Sequence, residues 1–146
     1  MTSGGRAVPR IVVGVDGSAT SRKALRWALG QAIAIGGLVE AVIAWEVPDS
    51  FGVGPTVRDG EDLAGTAHQR LADAISEVSA AFAGIPVQRQ VLRGHPAEVI
   101  LDRAKDADLL VVGSHGHGGF AGALLGSVSQ SCVHHATCPV VVVRPD

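Results

Sequence analysis

Five short aliphatic runs, at residues 11–15, 38–45, 87–92, 109–112 and 139–143, alternate with four stretches of helical period. Strands joined through helical crossovers return to the same end of a sheet and so lie parallel. The first run is apolar at every position except Gly14, the pattern of a central strand covered on both faces. After it, Ala24, Leu25, Ala28, Leu29, Ala32 and Ile35 recur at helical spacing, with Ser18 or Thr20 placed to cap the helix and Gly36-Gly37 to stop it. A second stripe, Leu63, Ala67, Leu71, Ala74, Ile75 and Val78, runs through 61–82 and is closed by Gly84 and Pro86. Pro96 suits the first turn of a helix over about 97–105, with Val99, Ile100 and Ala104 inward, and a last helix covers about 126–136. Residues 46–60 hold three glycines and two prolines and read as a long loop.

The expected fold is a doubly wound α/β sandwich: a five-stranded parallel sheet with helices on both faces. Two strand orders are common for such a sheet, 3-2-1-4-5 and 2-1-3-4-5, and each places ligands at its switch point beyond the strand C-termini. In the first order the ends of strands one and four flank one crevice. Those are the two places where the chain carries GVDGS, from Gly14, and GSHGHGG, from Gly113. The glycines therefore favour 3-2-1-4-5.

A chain of 146 residues suits one domain, here 11–146, preceded by a flexible tail at 1–10. With 47% apolar and 18% charged residues it can fill a core. A net charge of -2, no Lys/Arg block, no tyrosine and only three phenylalanines argue against a nucleic-acid partner. No run approaches the roughly 18 apolar residues of a membrane span. The first ten residues lack the apolar run of a secretory signal, so the expected compartment is the cytoplasm, with no membrane partner. Cys132 and Cys138 match neither a zinc nor a CxxC redox pattern and read as buried small hydrophobes. His68 and His95 read as surface residues, and without HExxH or a similar pattern no dedicated metal site is expected.

From position 113 the chain reads GSHGHGGFAGALLGSVS, with Gly113, Gly116 and Gly126 spaced G-x2-G-x9-G and followed by Ser127. Glycine lets backbone approach a ligand closely, and a loop entering a helix N-terminus presents N–H groups to anions. The segment reads as a phosphate cradle, against the alternative of a loop that needs glycine only to turn. It is not a P-loop, which needs a lysine after its last glycine, because the only lysines are Lys23 and Lys105. Residues 116–121 fit G-x-G-x-x-A, yet no Asp or Glu lies between Leu109 and Pro145 to serve a dinucleotide ribose. A nicotinamide enzyme is disfavoured.

This glycine motif, IVVGVDGS at 11–18 and the ending His135-Ala136-Thr137-Cys138-Pro139-Val140-Val141-Val142-Val143-Arg144 resemble the universal stress proteins over nearly the whole chain. The resemblance implies the 3-2-1-4-5 sheet and ATP at its switch point. It implies Gly14, Val15 and Asp16 along the adenosine, with Asp16 near the ribose or base and near any magnesium that arrives with ATP. Ala44 would offer backbone to the adenine edge. Gly113, Ser114, His115, Gly116, His117, Gly118 and Gly119 would wrap ribose and phosphates, with Gly126, Ser127, Val128 and Ser129 closing on the phosphates. Cyclic AMP, bound by some relatives, is the alternative ligand. One departure is Ile43, where many relatives have histidine; a backbone contact to adenine would make it matter little.

Asp16 also suits the N-cap of the first helix, while His115 and His117 suit phosphate donors and His134 and His135 suit the C-terminal dipole of the last helix. Phosphoryl transfer asks for more: near the inferred site the sequence shows one carboxylate, no lysine and no obvious arginine. No G-x-S-x-G elbow surrounds Ser114, Ser127 or Ser129, and Cys132 has no identified base. No catalytic residue is assigned. The expected function is a regulatory module in which ATP orders the loop 46–60 and the glycine loop for an unknown partner; slow ATP hydrolysis or phosphotransfer is the enzymatic alternative. In order 3-2-1-4-5 the last strand, Pro139 to Val143, is a bare apolar edge expected to pair with a second copy, an antiparallel homodimer that proline at Val141 or Val142 would obstruct.

Overall fold

The computed structural model describes residues 8–47, 57–116 and 125–146. In chain order these form β1 (Arg10–Gly14), α1 (Ala19–Ile35), β2 (Leu38–Trp45), α2 (Val57–Ser79), β3 (Val87–Arg93), α3 (Pro96–Arg103), β4 (Leu109–Gly113), α4 (Ser127–His135) and β5 (Val140–Val143). The strands are parallel and stand in the order β3-β2-β1-β4-β5. Val13 of the central β1 lies beside Ala41 of β2 and Val111 of β4.

Side chains alternate across the sheet, so β1 serves two cores. Ile11, Val13 and Val15 pack with Leu25 and Leu29 of α1 and Leu71 and Ile75 of α2. On the opposite face Val12, with Val42, Leu110 and Val112, packs against Ile100 and Ala104 and against Cys132 of α4. This two-sided burial is the reason that β1 lacks a polar alternation. Burial also pushes the Cys132 thiol up to about 11.

Local chemistry sets the element ends. Ser18, one of the two expected caps, accepts the Ser21 N–H at 3.2 Å, while Asp16 supports the turn by accepting the Ser18 N–H at 2.8 Å. Asp16 is therefore not the helix cap. Gly36 closes α1 in the left-handed region at φ 67°. Among the boundaries that shift from expectation, two change the reading of a segment. Helix α2 begins at Val57, inside the segment read as loop 46–60, and runs through Gly60. Residues 48–56 of that segment lie outside the described residues. Arg10, read as the end of a tail, opens β1: its N–H donates to Asp108 and its guanidinium to the carbonyls of Arg103 and Lys105.

The end of the sheet remote from the glycine segments holds a buried acid that the sequence reading passed over. Glu40 of β2 is 1% exposed and takes two hydrogen bonds from Arg103, at 2.9 and 2.8 Å, with Arg10 at 3.5 Å. A buried carboxylate stripped of its bidentate partner keeps its desolvation cost. Arg103→Ala is expected to cost about 2 kcal/mol in urea unfolding, discounted for the guanidinium's partial exposure, and Glu40→Met in the same chain to recover part of it.

Candidate functional site

At the C-terminal edge of the sheet, β1 leads into α1 on one face and β4 leads towards α4 on the other. The two departing chains leave a cavity of about 290 Å³ between them. Gly14, Val15, Asp16, Ala44, Gly113, His115, Gly116 and Val128, all expected at the site, line it together. The cavity wall also contains Ser21, Arg70, Pro96, Ile100 and Val112, which the sequence reading did not assign to the site. Val112 was within reach of that reading as the last apolar residue of the fourth strand. The sequence marks Pro96 only as a helix start and Ile100 only as an inward position. Arg70 corrects the expectation that no arginine lies near, since the packing of α2 brings it over the turn after β1: its side chain lies against Gly17.

The motif glycines are needed for space. A Cβ at Gly113 would come within 2.9 Å of Thr20 Cγ2 and 3.3 Å of the Thr20 backbone, at the start of α1. One at Gly116 would collide with Asp16 Oδ2. One at Gly126 would stand 3.3 Å from the Ser114 carbonyl oxygen. The motif thus joins the end of β4, the turn after β1 and the start of α4 with no side chain between them.

Ser114 ties these pieces together. Its N–H donates to the Val143 carbonyl at 2.8 Å, and its carbonyl accepts from the Gly126 N–H at 2.6 Å and from Ser129 Oγ at 2.8 Å. Ser129 also donates to the Gly126 carbonyl at 3.0 Å, so its hydroxyl clamps the loop base and is buried. Ser114 is likewise buried, with Oγ 3.0 Å from His115 Nδ1. Ser114, Gly126, Ser127 and Ser129 therefore stand behind or beside the cavity, with Ser127 exposed as the first residue of α4. His117, Gly118 and Gly119 lie outside the described residues.

Gly126 caps α4 without a side-chain hydrogen bond, and the first intrahelical bond is Gln130 N–H to the Gly126 carbonyl at 2.9 Å. The N–H groups of the first turn thus have no acceptor within the helix, and the dipole there favours an anion. The site combines an apolar slot against Ile100, a carboxylate at Asp16 and a helix start beside Val128. A second cavity of about 230 Å³, between β2 and α2, shares Asp16, Ala44 and Arg70 with the first. Among the described residues no cluster of three or more His, Cys, Asp or Glu is arranged to hold a metal ion, and no helix is long and apolar enough to cross a membrane.

The geometry defines a class: a doubly wound parallel α/β domain with a glycine-lined cavity at its switch point. The model of the universal stress protein family matches residues 8–144, and the chain belongs to that family. A universal stress protein of Mycolicibacterium smegmatis is 40% identical over 136 residues, covering 92% of this chain and 45% of the relative. Universal stress protein Rv2005c of Mycobacterium tuberculosis is 36% identical over 137 residues, again covering 92% of this chain and 45% of the relative. The chain thus spans about half the length of these relatives. Among solved structures, a universal stress protein in complex with cAMP superposes with a TM-score of 0.69 at 30% identity, covering 94% of this chain and 98% of that one. The universal stress protein UspA of Lactobacillus plantarum, at 24% identity, shares the fold with a TM-score of 0.74 over 95% of this chain and 100% of its own. Another, from Archaeoglobus fulgidus in complex with dAMP, shares it at 0.56 and 21% identity, over 94% of this chain and 98% of that one.

Proposed function

We propose that this domain binds an adenine nucleotide, ATP foremost, in the switch-point cavity and acts as a nucleotide-dependent regulatory module. The observation that carries this reading is that the motif glycines let backbone close on the cavity wall: a Cβ at Gly113 would meet Thr20 at the start of α1, and one at Gly116 would meet Asp16. Adenine fits the slot formed by Pro96, Ile100 and Val112, with the Ala44 backbone at its edge. Asp16 accepts from a ribose hydroxyl, and the phosphates meet the first-turn N–H groups at Val128 and the His115–Gly116 backbone. Magnesium, when it accompanies ATP, is held chiefly by the phosphates with Asp16 as the nearby carboxylate.

Cyclic AMP is the second reading, supported by the relative in complex with cAMP at 30% identity. One permanent cation in the described cavity wall, Arg70, also suits a single phosphate charge. A catalytic role has less support: Asp16 is the one carboxylate in that wall, and phosphoryl transfer asks for more charge neutralisation than Arg70 supplies. Calorimetry with ATP and with cyclic AMP, each with and without magnesium, tests the reading. Saturable heat with either nucleotide, and displacement of one by the other, is expected. Absence of heat with both refutes it.

The module is further proposed to work as a homodimer joined through β5, which is the sheet edge beyond β4. Val140, Val141 and Val142 are each only half-buried in the single chain. Pairing with a second copy would cover them and satisfy the edge.

A further inference from the structure

The two cavities meet at Asp16, Ala44 and Arg70, and that junction has a chemical consequence for the ligand. Asp16 is the one carboxylate that lines the first cavity, and the adenine-nucleotide reading gives it a ribose hydroxyl to accept from. Arg70 reaches the same junction from α2, its aliphatic stem laid on the turn that carries Asp16: Cδ is 3.3 Å and Cγ 3.4 Å from the position of a Gly17 Cβ. Among the described residues it is the one arginine or lysine that lines either cavity. Several other cations are committed elsewhere: Arg103 to Glu40, Arg22 to Glu77 and Lys23 to Asp146. Beyond Arg70 the second cavity offers about 230 Å³ of space, with Thr66 on one wall and Glu46, which lies 3.5 Å from His95, at its far side.

A carboxylate takes a free ribose hydroxyl, whereas an arginine beside it accommodates a phosphate on the ribose. Here both residues line both cavities. We propose that the site takes adenine nucleotides phosphorylated on a ribose 2′- or 3′-hydroxyl, with Asp16 accepting from the remaining hydroxyl and Arg70 holding the added phosphate at the second cavity. This rests on the adenine-nucleotide reading above. Arg70 is a specificity-determining residue in it: the guanidinium can bind two phosphate oxygens at once, where lysine offers a point charge.

The test is calorimetry of the wild type, Arg70→Gln and Arg70→Lys with AMP, adenosine 3′,5′-bisphosphate and adenosine 2′,5′-bisphosphate. The wild type is expected to bind one bisphosphate at least about tenfold more tightly than AMP, the scale of a charge-assisted hydrogen-bonded pair. Arg70→Gln should bring the affinity for that bisphosphate down to the variant's own affinity for AMP, and Arg70→Lys should keep part of the preference. Because Arg70 is exposed on α2, neither substitution opens the core. The proposal is overturned if the wild type binds neither bisphosphate more tightly than AMP, or if the ratio of bisphosphate to AMP affinity is the same in Arg70→Gln as in the wild type. Failure of the wild type to bind AMP or either bisphosphate would overturn the underlying nucleotide reading too, a result distinct from AMP binding without a bisphosphate preference.

Discussion

Gly116→Ala is expected to lower adenine-nucleotide affinity by at least about tenfold, the worth of a charge-assisted hydrogen bond, at a cost in stability of only about 1 kcal/mol, that of the Ser18 N–H bond that Asp16 gives up. The added methyl meets the tip of one flexible side chain, the carboxylate of Asp16, and Gly116 is itself exposed. The fold can yield there by letting Asp16 turn. In turning, Asp16 leaves the place from which it accepts a ribose hydroxyl, so the larger cost falls on binding. Gly113→Ala contrasts with it, because its methyl meets Thr20 Cγ2 at 2.9 Å and the backbone of Thr20 and Ser21 at 3.3 and 3.4 Å. Backbone cannot swing aside as a carboxylate can. That variant should lose affinity and also about 1–3 kcal/mol of stability, as overpacked sites do. Calorimetry and thermal melts of both proteins decide the matter. A Gly116→Ala protein with wild-type affinity would remove Asp16 and its loop from the site.

The difference between these two glycines was not visible in the chain. Their spacing says that backbone must pass close to something; which neighbour each one spares depends on how β1 and β4 lie side by side. The strand order was legible because two glycine-rich turns are useful together only if strands one and four are adjacent. Arg70 was not legible. The helical stripe marks Leu71 as inward, and only the packing of α2 against Gly17 brings its neighbour to the cavity. The start of α2 was misread because Gly60 is a poor helix former by propensity, yet the helix runs through it. Glu40 is an acid inside an aliphatic run that the sequence reading passed over, and its partner Arg103 lies 63 residues away. Ser129 shows the opposite limit. It belongs to the glycine motif by position, yet its hydroxyl is spent on the carbonyls of Ser114 and Gly126.

Val142→Pro should convert a dimeric wild type into a monomer, and the ladder between β4 and β5 says why this position rather than its neighbour. The Pro139 carbonyl accepts from the Leu110 N–H at 2.9 Å and the Val143 carbonyl from the Ser114 N–H at 2.8 Å. Alternate residues of a strand bond to the same neighbour, so residues 139, 141 and 143 turn their backbone groups to β4, and Val140 and Val142 turn theirs to the open edge. Proline at Val142 removes an edge donor that a second copy needs and spares the intrachain ladder. Proline at Val141 removes a donor facing β4 instead. It should cost about 1–3 kcal/mol of stability, the price of a buried carbonyl left unpaired, before assembly is tested at all. Both residues pack only partly into the cores, Val141 on the α1 and α2 side and Val142 on the α3 and α4 side. Light scattering coupled to size exclusion at micromolar concentration should therefore give a dimer for the wild type and a folded monomer for Val142→Pro. Urea unfolding should show the larger stability loss in Val141→Pro. A monomeric wild type, or a Val142→Pro protein that stays dimeric, places any assembly on another surface.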